Sequence, residues 1–184
     1  LYDDHKDAAE IRFNLASILF DVKKFDEASN HFYKIATTYP KSGEYTKDSA
    51  FNAVAALNTL IEAKTYKNIP EAGKAKDKLK IPGEKLKLVA AIDKFVELYP
   101  EDESSNAMRY VAAQTYFDYG HYDRSVKRFE IIVDEIPDTN QADAALKTIL
   151  GFYADQKQWS KLQTTSRKFS SSKVAKKPEN AVYI

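Results

Sequence analysis

The chain has no cysteine. Disulfides, thiolate nucleophiles and cysteine-held metals are therefore excluded, and the absence fits the cytosol and the periplasm equally. Glycine and proline are scarce, at five and six of 184 residues. Breakers are thus rare, and long segments keep helical spacing. No charge of one sign dominates. The formal net charge is +1, so nothing drives the whole chain toward nucleic acid or an acidic membrane surface. No apolar run reaches the ~20 residues that span a bilayer. An initiating methionine and a signal-peptide pattern are also missing, so we expect a fragment or a processed form.

Reaction chemistry is equally sparse. There is no glycine-rich phosphate loop. The histidines are His5, in the opening turn, His31, on a later helix, and His121, in an interhelix turn. None has a partner at the i+4 spacing of a helix metal site together with a third ligand. Carboxylates abound, but Asp102, Asp138 and Asn140 precede helix starts and read as caps. We expect no catalytic residue, no metal and no cofactor, hence a protein that is not an enzyme.

What is present is a repeat. The segment Phe25–Pro40 (FDEASNHFYKIATTYP) reads as one amphipathic helix closed by Tyr39-Pro40. Relatives of it recur at Leu88–Pro100 and Tyr122–Pro137. Pro100 and Pro137 lie 37 residues apart, one such period before Pro40 is Asp3, and Leu1-Tyr2-Asp3 there resembles Leu98-Tyr99-Pro100 at the close of a later unit. Pro40 and Pro100 lie 60 apart, which is the period plus a 23-residue insertion. A weaker fourth unit places Trp159 where Phe25 and Tyr122 sit.

Each unit divides into two helices by its apolar spacing. In the first unit the expected core stripes are Ile11, Leu15 and Leu19, then Ala28, Phe32, Ile35 and Ala36. In the third they are Met108, Ala112 and Tyr116, then Val126, Phe129, Ile132 and Val133. In the fourth they are Ala145, Ile149 and Tyr153, then Leu162 and Phe169. The second unit aligns one residue late, which puts Ala53 and Leu57 inward rather than Asn52. A helix pair of this size cannot bury both faces alone, whereas stacked pairs can.

The small residues Ala16 and Ala113, the turn aromatics Phe25 and Tyr122, Ala28, the aromatics Phe32 and Phe129, and the closing prolines 40 and 137 resemble the tetratricopeptide repeat (TPR) family. The chain departs from that pattern in Arg12 and Arg109, in Leu88 and in its period. The resemblance implies an all-α, right-handed superhelical array of antiparallel helix pairs. It would have about four repeats: 4–40, 41–100 with an insertion at 66–84, 101–137 and 138–174. The residues 175–184 would start a further helix. The Tyr-Pro endings resemble the bacterial envelope subset of the family, which implies a periplasmic or outer-membrane-associated adaptor, with the cytoplasm left open.

The first helices carry a second apolar face. Phe13 and Phe20 share a side of the helix, as do Tyr110 and Phe117, and Phe51 supplies the equivalent with Asn58 beside it. In proteins the chain resembles, these positions line a concave groove that holds a partner's peptide. The expected groove is therefore Phe13, Ser17, Phe20, Phe51, Asn58, Tyr110, Gln114 and Phe117. Asp21, Asp118 and Asp155 would form an acidic rim. The competing expectation is that the aromatics only pack. The peptide-carboxylate clamp of chaperone-binding TPRs is mostly missing, since Phe13 and Ser17 stand where it needs Lys and Asn.

The insertion carries eight lysines over residues 64–87 against Glu71, Asp77 and Glu84. Pro70, Gly73, Pro82 and Gly83 break it into a loop, with a helical turn expected around Ala72–Leu79. A solvated loop is the favoured expectation. The alternative is a basic contact through Lys74, Lys76, Lys78 and Lys80 with an acidic partner or an anionic surface. Nucleic acid is disfavoured, because no interleaved aromatics accompany the lysines. The expected function is thus a protein- or peptide-binding scaffold in a bacterial envelope complex. The alternatives are a self-assembling spacer and a regulatory repeat domain of a larger protein.

Overall fold

A computed structural model describes residues 7–41, 43–67 and 69–177. Among them it forms eight helices and no strand. The helices are α1 (Ala8–Asp21), α2 (Phe25–Thr38), α3 (Thr46–Glu62), α4 (Gly83–Leu98), α5 (Glu103–Asp118), α6 (Tyr122–Glu135), α7 (Asn140–Asp155) and α8 (Trp159–Phe169). Phe25, Tyr122 and Trp159 each open the second helix of a pair, as their alignment implies. The chain divides into two compact units. Unit 1 is Leu1–Asn68 with Lys80–Ser105, and unit 2 is Ile69–Leu79 with Asn106–Ile184.

In unit 1, α2 packs on α1, α3 and α4, and α3 packs on α4. In unit 2, α6 packs on α7 and α7 on α8. The second-helix stripes are the core. Phe32, Ile35, Ile92, Phe95, Phe129 and Ile132 are each at most 1% exposed. Pairs one and three use Phe then Ile, three residues apart, whereas α4 reverses them as Ile92 and Phe95. The exchange conserves volume, which close-packed cores tolerate best.

Three of the four first helices end in one motif. Lys23, Gly120 and Lys157 occupy the same repeat position, and all three have positive φ, at 63°, 74° and 53°. Beyond each, the amide of Lys24, His121 or Gln158 donates five residues back, to the carbonyl of Leu19, Tyr116 or Tyr153, at 2.8–2.9 Å. This is the Schellman closure, which pairs the orphan carbonyls of a helix end. The fourth first helix, α3, lacks it because the insertion leaves there.

Several expectations are corrected. Ile11 and Leu15 are 65% and 42% exposed rather than core. With Ile18 and Val22 they form an open apolar stripe, while Ala8, Ala16 and the aromatic side of α1 face inward. On α3 and α7 the equivalent positions Ser49, Ala53, Ala145 and Ile149 are fully buried, because α2 and α6 pack on those helices. No helical turn forms over Ala72–Leu79. Thr139, not Asp138 or Asn140, caps α7, its hydroxyl accepting from the Ala142 amide at 3.2 Å. Asp102 does cap α5, accepting from the Ser104 amide at 3.0 Å. Residues 174 and 175 are buried within turns rather than in a new helix, and the expected helix start at 179–184 lies outside the described residues, as does His5.

Candidate functional site

The first-helix row is built mostly into its own helix pairs. Phe13 sets its ring against Phe32 at 5.6 Å and Tyr45 at 5.1 Å. Phe20 meets Phe25 edge-on at 5.1 Å. Tyr110 lies 5.2 Å from Phe129, and its hydroxyl is 3.3 Å from that of Thr148. These three side chains are half-buried. Ser17 donates its hydroxyl to the Phe13 carbonyl of its own helix, which satisfies it locally. Gln114 donates to Asp118 at 2.6 Å, so that rim carboxylate is already engaged. Asn58 and Asp21 are exposed.

Two members of the row depart in opposite directions. Phe51 is 43% exposed. Its partner ring is Phe95 at 6.0 Å, one helical turn nearer the end of α4 than Phe32 lies in α2, because of the reversed Ile-Phe order. Phe117 is only 5% exposed, held among Tyr122, Phe129 and Phe152 at 5.3–6.0 Å. Phe117 therefore offers no open wall to a partner.

The insertion explains part of that burial. It is not a free loop throughout, because Ile69–Leu79 belongs to unit 2. We call this segment the strap. A tight turn closes over Glu71–Lys74, the Lys74 amide donating to the Glu71 carbonyl at 2.9 Å, with Gly73 at φ +80° in the position that demands glycine. A Cβ at Gly73 would stand 3.2–3.3 Å from the Phe117 ring.

From there the strap runs along the ends of α5 and α7. Gln156 donates to the Gly73 carbonyl at 3.1 Å, and the Tyr122 hydroxyl donates to the Ala75 carbonyl at 3.0 Å. The Leu79 amide donates to the Tyr119 carbonyl at 2.9 Å. His121 Nε2 is 2.8 Å from the Leu79 carbonyl, and since that oxygen only accepts, Nε2 carries the proton. Gly120 supplies the notch, for a Cβ there would lie 2.6 Å from the Asp77 carbonyl oxygen and 3.0 Å from the Ala75 Cβ.

The lysines point outward. Lys74 pairs with Asp155 at 2.7 Å and Lys78 with Asp123 at 3.5 Å. Asp155 was expected on an open rim, and the strap occupies it. Both pairs are well exposed, so solvent and salt screen them. The hydrogen bond to Asp155 and its charge raise the Lys74 pKa. Burial raises the Tyr122 phenol. Lys76 and Lys80 are exposed. Beside the strap a cleft of about 330 Å³ opens between Tyr122, Asp123, Glu130, Phe152, Tyr153 and Lys161.

Sequence reasoning missed Gly120, Tyr122, Gln156 and Asp123 as strap contacts. One signal was present. At the position where two other turns carry Lys23 and Lys157, a glycine-poor chain places Gly120. The turn alone does not need that glycine, but the strap does.

Two residues make separate predictions. Phe51→Ala removes a ring in partial contact with water and is expected to cost about 1 kcal/mol or less, read by urea unfolding. By contrast, Phe13→Ala with Tyr110→Ala strips two core-facing rings and tests folding rather than binding. Burial depresses the His31 pKa, Arg12 adding to the effect and Glu27 opposing it, and Nδ1 is buried without a hydrogen bond. A depressed folded-state value means that stability is full above the unfolded pKa of about 6.5 and is lost as pH falls through the folded value. The urea midpoint of unit 1 should therefore drop between pH 7.5 and 5, with a shallower slope in His31→Gln. An unchanged slope would refute this assignment.

The fold and site define an all-α chain of consecutively packed helix pairs, one of which donates a segment to the second unit. No helix among the described residues is long and apolar enough to cross a membrane. No protein-family model matches the chain, and no curated protein matches it significantly.

Proposed function

We propose that the chain is a non-catalytic scaffold that binds a partner peptide or protein along the first helices of unit 1, within a bacterial envelope complex. The observation that carries this reading is Phe51. It holds 43% of its surface in water on a helix whose opposite face, Ala50, Ala53, Val54 and Leu57, is buried. Phe13, Ser17 and Phe20 are half-exposed on the neighbouring first helix. Exposed aromatic carbon of this kind suits partner recognition. The TPR resemblance supports the same surface, and the Tyr-Pro endings support the envelope assignment.

The test is capture of partners from bacterial envelope extract by the full chain. Phe51→Glu should abolish capture while helix content by circular dichroism stays intact. Undiminished capture by that variant would refute the assignment of the surface. The same captures from cytosolic extract test the compartment.

One observation favours a second reading, that of a self-associating spacer. Ile11, Leu15, Ile18 and Val22 form a single stripe on α1, exposed at 42–65%. Mass by light scattering that rises with concentration, and falls back in Ile18→Lys, would support the spacer. A constant monomer mass would leave the scaffold.

A further inference from the structure

We propose that unit 2 carries a docking surface for an extended, lysine-bearing segment of a partner protein, and that the strap is its in-cis occupant. This surface is separate from the aromatic row of unit 1 and does not rest on it.

The receptor side is made of side chains with fixed tasks. Gly120 opens a notch that admits backbone. The Tyr122 hydroxyl, His121 and Gln156 present donors to three carbonyls, and the Tyr119 carbonyl accepts one amide. Asp155 and Asp123 take the ammonium groups of Lys74 and Lys78. The occupant side supplies almost nothing but backbone, small residues and charge. Gly73 and Ala75 are buried, while Lys74, Lys76 and Lys78 are exposed between and after them. Four backbone hydrogen bonds are indifferent to side-chain identity, so what is read is small residues at Gly73 and Ala75 and lysines at Lys74 and Lys78. The same division of labour holds where sheet edges take foreign peptides: main-chain bonds hold, and alternate side chains select.

Two features favour a partner over a permanently closed strap. The strap buries no large side chain, since Ile69, Pro70 and Leu79 are only half-buried, and its ion pairs are exposed. Its tether adds to these contacts an effective concentration on the order of millimolar. The adjoining cleft of about 330 Å³ shares Tyr122, Asp123 and Phe152 with the strap's surroundings and is left unfilled. A longer partner segment gains that cleft, and the strap does not.

The probe is a labelled peptide with the sequence of Glu71–Leu79. In the full chain with the strap weakened by Gly73→Val, Lys74→Glu and Lys78→Glu, the peptide should bind at least about tenfold tighter than to the unaltered chain, where the tether competes. Adding Gly120→Asn should abolish that binding, because it fills the notch, and Asp155→Lys should weaken it. Phe51→Ala should leave it unchanged. No gain on weakening the strap, or binding that survives Gly120→Asn, would overturn the proposal. If the weakened chain does not fold, amide exchange in the unaltered chain decides. The Leu79 amide, bonded to Tyr119, should exchange faster than amides in the middle of α6, and faster again with millimolar peptide. Exchange as slow as the α6 core would overturn the proposal. Mass that doubles with concentration, with the weakened strap restored by a second copy, would also overturn it, since the occupant would then be another copy of this chain.

Discussion

Gly120→Asn is expected to lift the strap while leaving α5 and α6 formed. The turn itself tolerates a side chain. Lys23 and Lys157 adopt the same positive φ at the same repeat position, and asparagine enters that region more easily than lysine. What does not tolerate a side chain is the space above it, where a Cβ would stand 2.6 Å from a backbone oxygen of the strap. Backbone cannot swing aside as a flexible side chain can. Forcing atoms into packed space typically costs about 1–3 kcal/mol, and this is the loss expected for unit 2. The measurements are urea unfolding and amide exchange at Leu79, whose protection should fall while protection within α6 holds. The companion variant Lys23→Gly is made at the equivalent turn of unit 1, whereas the strap belongs to unit 2. It should be neutral or stabilising by up to about 1 kcal/mol, as left-handed strain is relieved. Equal losses in the two variants would mean that the turn, not the strap, explains the glycine.

Phe117→Ala is expected to produce the larger effect, about 3–5 kcal/mol from unit 2. The ring is 5% exposed and contacts three other rings, and the strap glycine lies against it. Its removal leaves a cavity that Phe129 and Phe152 cannot close without leaving their own packing. The variant separates two accounts of the first-helix aromatics. A groove-lining ring costs about 1 kcal/mol or less on truncation and loses binding. A core ring costs stability first. Comparison with Phe51→Ala in the same unfolding series gives the contrast directly, since Phe51 and Phe117 belong to one sequence row and to opposite environments.

That contrast shows where sequence periodicity stops. The second-helix stripes of the first and third pairs were legible because there burial follows the apolar spacing. Ala28, Phe32, Ile35 and Ala36 and their counterparts Val126, Phe129, Ile132 and Val133 are all core. The one-residue slip of α3 was legible for the same reason, with Ala53 and Leu57 buried and Asn52 half-buried. The first helix α1 was misjudged because its apolar spacing equals that of α5 and α7. Spacing says which residues share a face, and only the packed neighbours say whether that face is covered.

The sequence by itself determined the helices, their pairing and their turns. These follow from local terms: apolar period, capping groups, and proline or positive-φ closures that act within a few residues. Tertiary structure alone decided the fate of the insertion. Its lysines announce solvent, and they do remain in solvent, while Gly73, Ala75 and the strap backbone find partners on residues more than 40 positions away. A hydrogen bond from Tyr122 or Gln156 to a main-chain carbonyl leaves no mark on the identity of the residue that accepts it. The one trace it leaves is steric, a glycine at 120 where the repeat otherwise accepts lysine, and its meaning appears only when the atom that would collide with a side chain is in place.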